Sequence, residues 1–254
     1  MKLSIITVVM DELEELSKTQ KSILSQHSDE IEWVVVHGGK DREIVNFVNT
    51  SKSQLDVLIL SESDKGIYDA MNKGLVLSSG DYVVFLNAGD VFHDENVVDK
   101  VFKKLKQADC EIDMLFGAAE LVFENGKKIL RKPKNINNYI WHGLPANHQA
   151  TYYKSSSIVL PAYDLKYKMC GDYYIVSMMY LNGATNIVID EPLVDFKVGG
   201  ASYHNPWLLV KEAYMIQRDV LSTSMFKRLM SAGKRIAATI AFIFIQNGFL
   251  KKIN

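Results

Sequence analysis

An apolar run over residues 82–86 stops at Asn87, Ala88, Gly89 and Asp90, so a segment built to be dry ends in an amide and a carboxylate. Oxygens of these kinds suit a hard cation or a polar ligand. Two earlier apolar runs end in the same way. Residues 31–36 lead into His37-Gly38-Gly39-Lys40-Asp41, and residues 57–60 into Ser61-Glu62-Ser63-Asp64-Lys65-Gly66. The paired glycines permit close backbone approach or a left-handed turn. The second cluster precedes a helix start, where free backbone N–H groups favour anions. Farther on, Asn147-His148-Gln149 offers an imidazole, and Cys170-Gly171-Asp172 offers a carboxylate at a helix N-terminus. Any one cluster is ordinary turn and N-cap chemistry, and a lone histidine such as His148 is more often structural. Three successive strands that end in Gly/Asp clusters would bring them to one sheet edge.

The elements that would do this alternate. Strands are predicted at 3–9, 31–36, 57–60 and 82–86, and helices at 13–26, 42–49, 67–77 and 97–105. The 67–77 helix is expected to turn Ile67, Ala70, Met71, Gly74 and Leu75 inward. Alternation with short connections argues for a doubly wound, mostly parallel sheet, which binds ligands beyond its carboxyl ends at a topological switch point. The second half is less regular. A hairpin is predicted from 114–123 and 127–130, strands at 149–153, 186–189 and 193–198, and helices at 172–181 and 207–221. Ile175, Met178 and Met179 are expected to anchor the 172–181 helix. The domain division is 1–205 for an α/β domain and 206–254 for a helical, basic tail.

The chain has 254 residues, 48% of them apolar, ample for one α/β domain with an appendage. A net charge of −1 gives no electrostatic footprint for nucleic acid. Cys110 and Cys170 make neither a disulfide framework nor a zinc cluster. They are expected to be buried small apolar residues, in a reducing, intracellular setting. Charge is uneven: no acidic residue follows Asp219, and six Lys and Arg residues give the tail +6 and leave −7 elsewhere.

The segments LSIITVVMDE, VVVHGGKD, SESDKGIYDAMNKG, GDYVVFLNAGD and GDYYIVSMMYLNG resemble the successive motifs of family 2 glycosyltransferases of the GT-A fold, bacterial exopolysaccharide and colanic-acid type, over roughly residues 2–200. The resemblance implies a Rossmann-like, mixed and mostly parallel sheet flanked by helices, and an inverting transfer from a nucleotide sugar to a saccharide acceptor. It implies donor-binding roles for Val8, Asp11, His37, Asp41, Asp64, Lys65, Asn72, Asn87, Gly89 and Asp90. His37 stands where the family carries a base-binding Asp. Asn87-Ala88-Gly89 stands where it carries the metal-binding Asp-x-Asp, which leaves Asp90 as the carboxylate for Mg²⁺ or Mn²⁺. Asp172 matches the catalytic base, with His148 next in line, and residues 199–202 resemble a late active-site loop. An acceptor hydroxyl is a weak nucleophile, and a carboxylate within reach that takes its proton is typically worth 10²–10⁴-fold.

Two other functions stay open at this level. A noncatalytic nucleotide-sugar-binding protein fits the missing Asp-x-Asp carboxylates. A nucleotidyltransferase fits the sheet but not the acidic, glycine-free VVMDELEE loop. In the tail, an apolar stretch over 236–245 is too short for a span of roughly 20 residues. With flanking Lys and Arg it suits an interfacial helix on an anionic membrane surface. The expected setting is peripheral, on the inner face of the cytoplasmic membrane, with a lipid-linked saccharide as acceptor.

Overall fold

Runs of β-branched residues without polar alternation make strands that need cover on both faces. A computed structural model, which describes residues 1–123, 125–199 and 205–246, supplies that cover. Strands β1 (Leu3–Val9), β2 (Ile31–His37), β3 (Asp56–Ser61) and β4 (Tyr82–Phe85) pair in parallel in the order β3-β2-β1-β4. Leu3, Ile5, Trp33, Val35 and Val84 enter one core, beneath helices α1 (Leu13–Leu24) and α2 (Arg42–Thr50). Ile6, Val34, Val83 and Phe85 enter the other, beneath α3 (Ile67–Leu77). On α3 the inward residue of the first turn is Tyr68, whereas Ile67 is exposed, which corrects the expected stripe by one position.

Beyond β4 the sheet becomes mixed. β8 (Thr151–Lys154) pairs antiparallel with β4 and with β6 (Met114–Val122), and β7 (Lys128–Arg131) completes the expected hairpin on β6. The two strands expected over 186–198 are one, β9 (Asn186–Lys197), parallel to β6, with its register broken opposite Gly117 and Ala118. β5 (Val91–Phe92) pairs with β9; two residues are too few for a periodic signal. Helix α4 (Val97–Lys106) follows β5, and the short α5 (Ile136–Tyr139) was also unforeseen.

Helix α6 (Gly171–Leu181) buries Ile175, Val176 and Met179, but Met178 points outward, against expectation. Helix α7 (Pro206–Asp219) sends Ala213 and Ile216 into the second core, so the chain stays packed past residue 205. Helix α8 (Met225–Gln246) packs on α7 with Ser231 buried. Cys170 is buried and Cys110 exposed, which corrects the expectation for Cys110. Among the described residues no helix is long and apolar enough to cross a membrane. Of the late loop at 199–202 only Gly199 is described. Residues 247–254, with Lys251 and Lys252, and the side chains of 241–246 lie outside the described residues.

Candidate active site

The four parallel strands share one carboxyl edge, and chain order reverses at β1, which is flanked by β2 and β4. The crevice between β1 and β4 is thus the switch point at which such sheets bind ligands. Asn87 to Asp90 cross it. The Ala88 N–H donates to Val8 O at 3.4 Å, and the Gly89 N–H to Thr19 Oγ1 at 3.0 Å. Gly89 has φ +95°, and a Cβ there would lie 2.9 Å from Glu15 Oε2, so both conformation and space call for glycine. Thr19 in turn donates to Asp90 O at 2.9 Å, which makes α1 the support of this turn.

One acceptor in the turn lacks a partner, and one carboxyl is desolvated despite its partners. Asn87 Oδ1 is buried without a hydrogen-bond partner among the described residues. The buried Asp90 carboxyl meets the Gln149 side chain and the Asn87 backbone, and burial raises its pKa to about 7. A bare acceptor beside a desolvated carboxyl is a donor set that fits a hard divalent cation.

The glycines after β2 have a specific cause. A Cβ on Gly39 would lie 2.1 Å from Asp11 Oδ1, and one on Gly38 would lie 2.0 Å from Asp64 Oδ2. Two carboxylates from different strand ends therefore pass over the Gly-Gly backbone. Asp11 Oδ1 accepts the N–H groups of Asp41 (2.9 Å) and Lys40 (3.0 Å), with His37 Nε2 at 3.5 Å. These contacts, the Asp41 N–H foremost, hold its carboxyl below the ordinary range. His37 is buried, its Nδ1 paired with Ser61 Oγ at 2.9 Å, so it orients Asp11 from beneath. Asp64 accepts the Gly66 N–H at 2.8 Å, and Lys65 presents an exposed side chain. Asp41 caps α2 through the Glu43 N–H at 2.8 Å. Asn72 clamps the Tyr163 backbone with both ends of its amide, each bond 2.9 Å. The side chains of Asp41 and Asn72 thus make structural bonds.

Asp172 stands in the first turn of α6, half-buried, with Oδ1 accepting the Tyr173 N–H at 2.8 Å. Desolvation raises its pKa to about 6, while the Tyr173 N–H and the guanidiniums of Arg235 and Arg131 pull the other way. Gly171 is tight against the Tyr68 ring, which a Cβ would meet at 2.8 Å. Tyr68, stacked on Tyr163 at 5.1 Å, thus joins the start of α3 to the start of α6. The loop that aims Asp172 is fixed by a residue that the sequence did not reveal. Glu212 of α7, buried, accepts the N–H groups of Lys168, Met169 and Cys170 at 2.8, 2.8 and 3.0 Å. His148 lies elsewhere in the aromatic core. It is stacked on Phe85 at 4.9 Å, both ring nitrogens lack partners among the described residues, and burial lowers its pKa to about 4.

A second group of ligand-type side chains, His93, Glu120 and Asp195, crosses the sheet from β5 to β6, with ligand atoms within 4.8 Å of one another. His93 Nδ1 is 2.6 Å from Asp195, and Lys128 Nζ is 2.6 Å from Glu120. Lys128, also 3.7 Å from Asp195, offsets one of the two carboxylate charges.

Residues 4–153 match the family model described as Glycosyl transferase family 2. An uncharacterized glycosyltransferase of Mycobacterium tuberculosis is 29% identical over 174 residues, 66% of this chain and 65% of that protein, so the match spans slightly less than two thirds of the relative. A PGL/p-HBAD biosynthesis glycosyltransferase of Mycobacterium bovis is 27% identical over 165 residues, 60% of this chain and 59% of that protein. Among solved structures, TarS (residues 1–349) of S. aureus in complex with UDP aligns over the whole chain and 76% of its own, with a TM-score of 0.69 and 17% identity. The mannosyltransferase PcManGT of Pyrobaculum calidifontis, solved with GDP-Man and Mn²⁺, aligns over 100% of this chain and 81% of its own, with a TM-score of 0.69 and 14% identity. At these identities the likeness is one of fold.

Proposed function

Since the chain belongs to glycosyl transferase family 2, we propose that it moves a sugar from a nucleotide-sugar donor to a lipid-linked saccharide acceptor, with inversion, in the building of bacterial surface polysaccharide. The observation that carries this reading is an ionisable carboxyl, Asp172, whose neighbour Gly171 packs on Tyr68 at the start of α3, with Tyr68 stacked on Tyr163 and Tyr163 edge-on to Phe85 just before the Asn87–Asp90 turn. Asp11 and Asp64, crossing over Gly38 and Gly39, face the nucleoside. The acceptor oxygen bonds to the anomeric carbon as the bond to the diphosphate oxygen breaks. The acceptor proton passes to Asp172, and the nucleoside diphosphate leaves from the opposite face. His148, neutral and enclosed by aromatic rings, is a packing residue in this scheme, so the proton falls to Asp172. Asp90 and Asn87 Oδ1 would hold Mg²⁺ or Mn²⁺, which neutralises charge on the departing diphosphate.

A protein that only binds donors would be stabilised by them and release nothing. The expected result is a rise in melting temperature with one of UDP-, GDP- or dTDP-sugars and slow release of the matching nucleoside diphosphate, faster with Mn²⁺. Stabilisation with no release under any metal condition would favour the binding-only reading.

Membrane docking is part of the proposal. On the outer side of α8, Phe226 and Leu229 are 74% and 54% exposed, with Met225 and Ile240 also outward, and the same helix exposes Lys227 and Lys234 along its flanks toward the protein. An apolar stripe edged by cations suits an anionic interface, here the inner face of the cytoplasmic membrane. The double variant Phe226→Glu/Leu229→Glu should keep the parental melting temperature and lose about tenfold or more in binding to phosphatidylglycerol vesicles. Equal binding by parent and variant would remove α8 as the docking element.

A further inference from the structure

The inner side of α8 carries a second cationic feature, aimed at the site. Arg235 donates through Nη2 to His142 O, while its Nε is buried without a partner among the described residues. Arg131, at the end of β7, donates through Nη2 to Leu144 O at 3.4 Å. The two guanidiniums therefore ride on carbonyls either side of Gly143, where a Cβ would lie only 2.9 Å from Arg235 Nη2. This turn is built with care. His142 Nδ1 and Gln217 Nε2 each lie 2.8 Å from Ser231 Oγ, and Gln217 also donates to His142 O at 3.3 Å. The Tyr173 hydroxyl, from the first turn of α6, donates to Ile140 O and ties the turn to the helix that bears Asp172. Lys234 sits over the Trp141 ring at 5.3 Å and adds a further positive charge. Both guanidiniums act on the Asp172 carboxyl through space.

Two guanidiniums beside a candidate base ask for an anion, because planar forked donors match phosphate oxygens two at a time. In an inverting displacement the donor diphosphate lies on the face away from the base. An anion on the base side is then part of the acceptor. We propose that Arg131 and Arg235 form a subsite for a phosphate or diphosphate group of the acceptor, placed by the Tyr139–Leu144 turn beside Asp172. The subsite rests on the glycosyl-transfer reading above and deepens it: the acceptor is a phosphorylated carrier, and α8 joins its anionic group on one face to the membrane on the other.

The test uses the full chain, saturated with whichever of UDP, GDP and dTDP stabilises it, so that the donor pocket is filled. Inorganic pyrophosphate, farnesyl diphosphate and farnesol are titrated by calorimetry. Pyrophosphate and farnesyl diphosphate should both bind, farnesol should not, and tighter binding of farnesyl diphosphate than of pyrophosphate would mark the anion as a lipid carrier's. Arg235→Gln and Arg131→Gln should each weaken both anions about tenfold or more, Arg235→Lys less, with nucleotide affinity within twofold of the parent. Parental anion affinity in both glutamine variants would overturn the subsite, as would displacement of the anions by the nucleotide. Arg131 is exposed, so its variant keeps the test open if Arg235→Gln does not fold. A parent that binds the anions through these arginines yet never binds a nucleotide or releases one from a sugar would instead sink the glycosyl-transfer reading alone.

Discussion

Asp172→Asn is expected to keep the fold and the donor and to lose at least about 10²-fold in transfer rate. The substitution is close to isosteric, and asparagine can still accept the Tyr173 N–H that Asp172 now accepts. A neutral amide cannot take the acceptor's proton, so only the chemical step is lost. Ionisation sharpens the test. The folded-state pKa is raised from 3.8 to about 6, with desolvation as the main cause. A carboxyl raised in this way binds its proton more tightly in the folded chain, so its ionisation costs stability as pH rises from about 4 to about 6. Asparagine removes that cost, so the variant's melting temperature at pH 7.5 should equal or exceed the parent's. The same pKa sets the rate profile. Parental transfer at saturating donor should rise through a midpoint near pH 6 and level off above it, and the residual rate of the variant should lack that limb. Transfer within a few-fold of the parent, or the same limb in the variant, would show that another group accepts the proton.

How much of this was legible depends on what kind of contact makes each part. Burial of β1, β2 and β4 on both faces leaves runs dominated by apolar residues, broken only by Ser4, Thr7 and Glu32 before His37, so the parallel half and its carboxyl edge could be read directly. The glycines at 38 and 39 were visible as a loop signal, yet their cause, two carboxylates crossing them from other strands, exists only once the strands are side by side. The inward turn of α3 was misplaced by one residue because Tyr68 and Ile67 are both apolar, and the choice is made by Gly171 some hundred residues away. Glu212 left no trace, since a glutamate between Lys211 and Ala213 reads as a solvated helix face. Three backbone N–H groups turn it inward. By sequence Arg235 belongs to a basic tail for the membrane, because helical spacing does not say which cation of a stripe turns inward. The pieces that position the base thus come from long-range contacts that local pattern does not encode.

Asp90→Asn should act in opposite directions with and without metal. In the parent the Asp90 carboxyl is buried and its pKa is raised from 3.8 to about 7. The folded chain therefore holds this proton more tightly than the unfolded one, so the stabilisation is complete at low pH and is lost as pH rises from about 4 to about 7. A shift of this size corresponds to roughly 4 kcal/mol of ionisation cost above pH 7, in the absence of a cation. Asparagine carries no such cost. In EDTA the variant should melt above the parent at pH 8 by several degrees, and the gap should narrow steadily toward pH 4. With Mn²⁺ and the nucleoside diphosphate present the order should reverse, because a cation held by Asp90 and Asn87 Oδ1 stabilises only the parent. In the same samples donor affinity should fall about tenfold or more in the variant, and stimulation of sugar transfer by Mn²⁺ should vanish. Melting curves from pH 4 to 8, in EDTA and in Mn²⁺, decide the matter. A Mn²⁺ response in the variant equal to the parent's would move the cation away from Asp90, with the His93, Glu120 and Asp195 group the next place to look. A pH-independent gap in EDTA would show that the carboxyl is not desolvated as the turn requires.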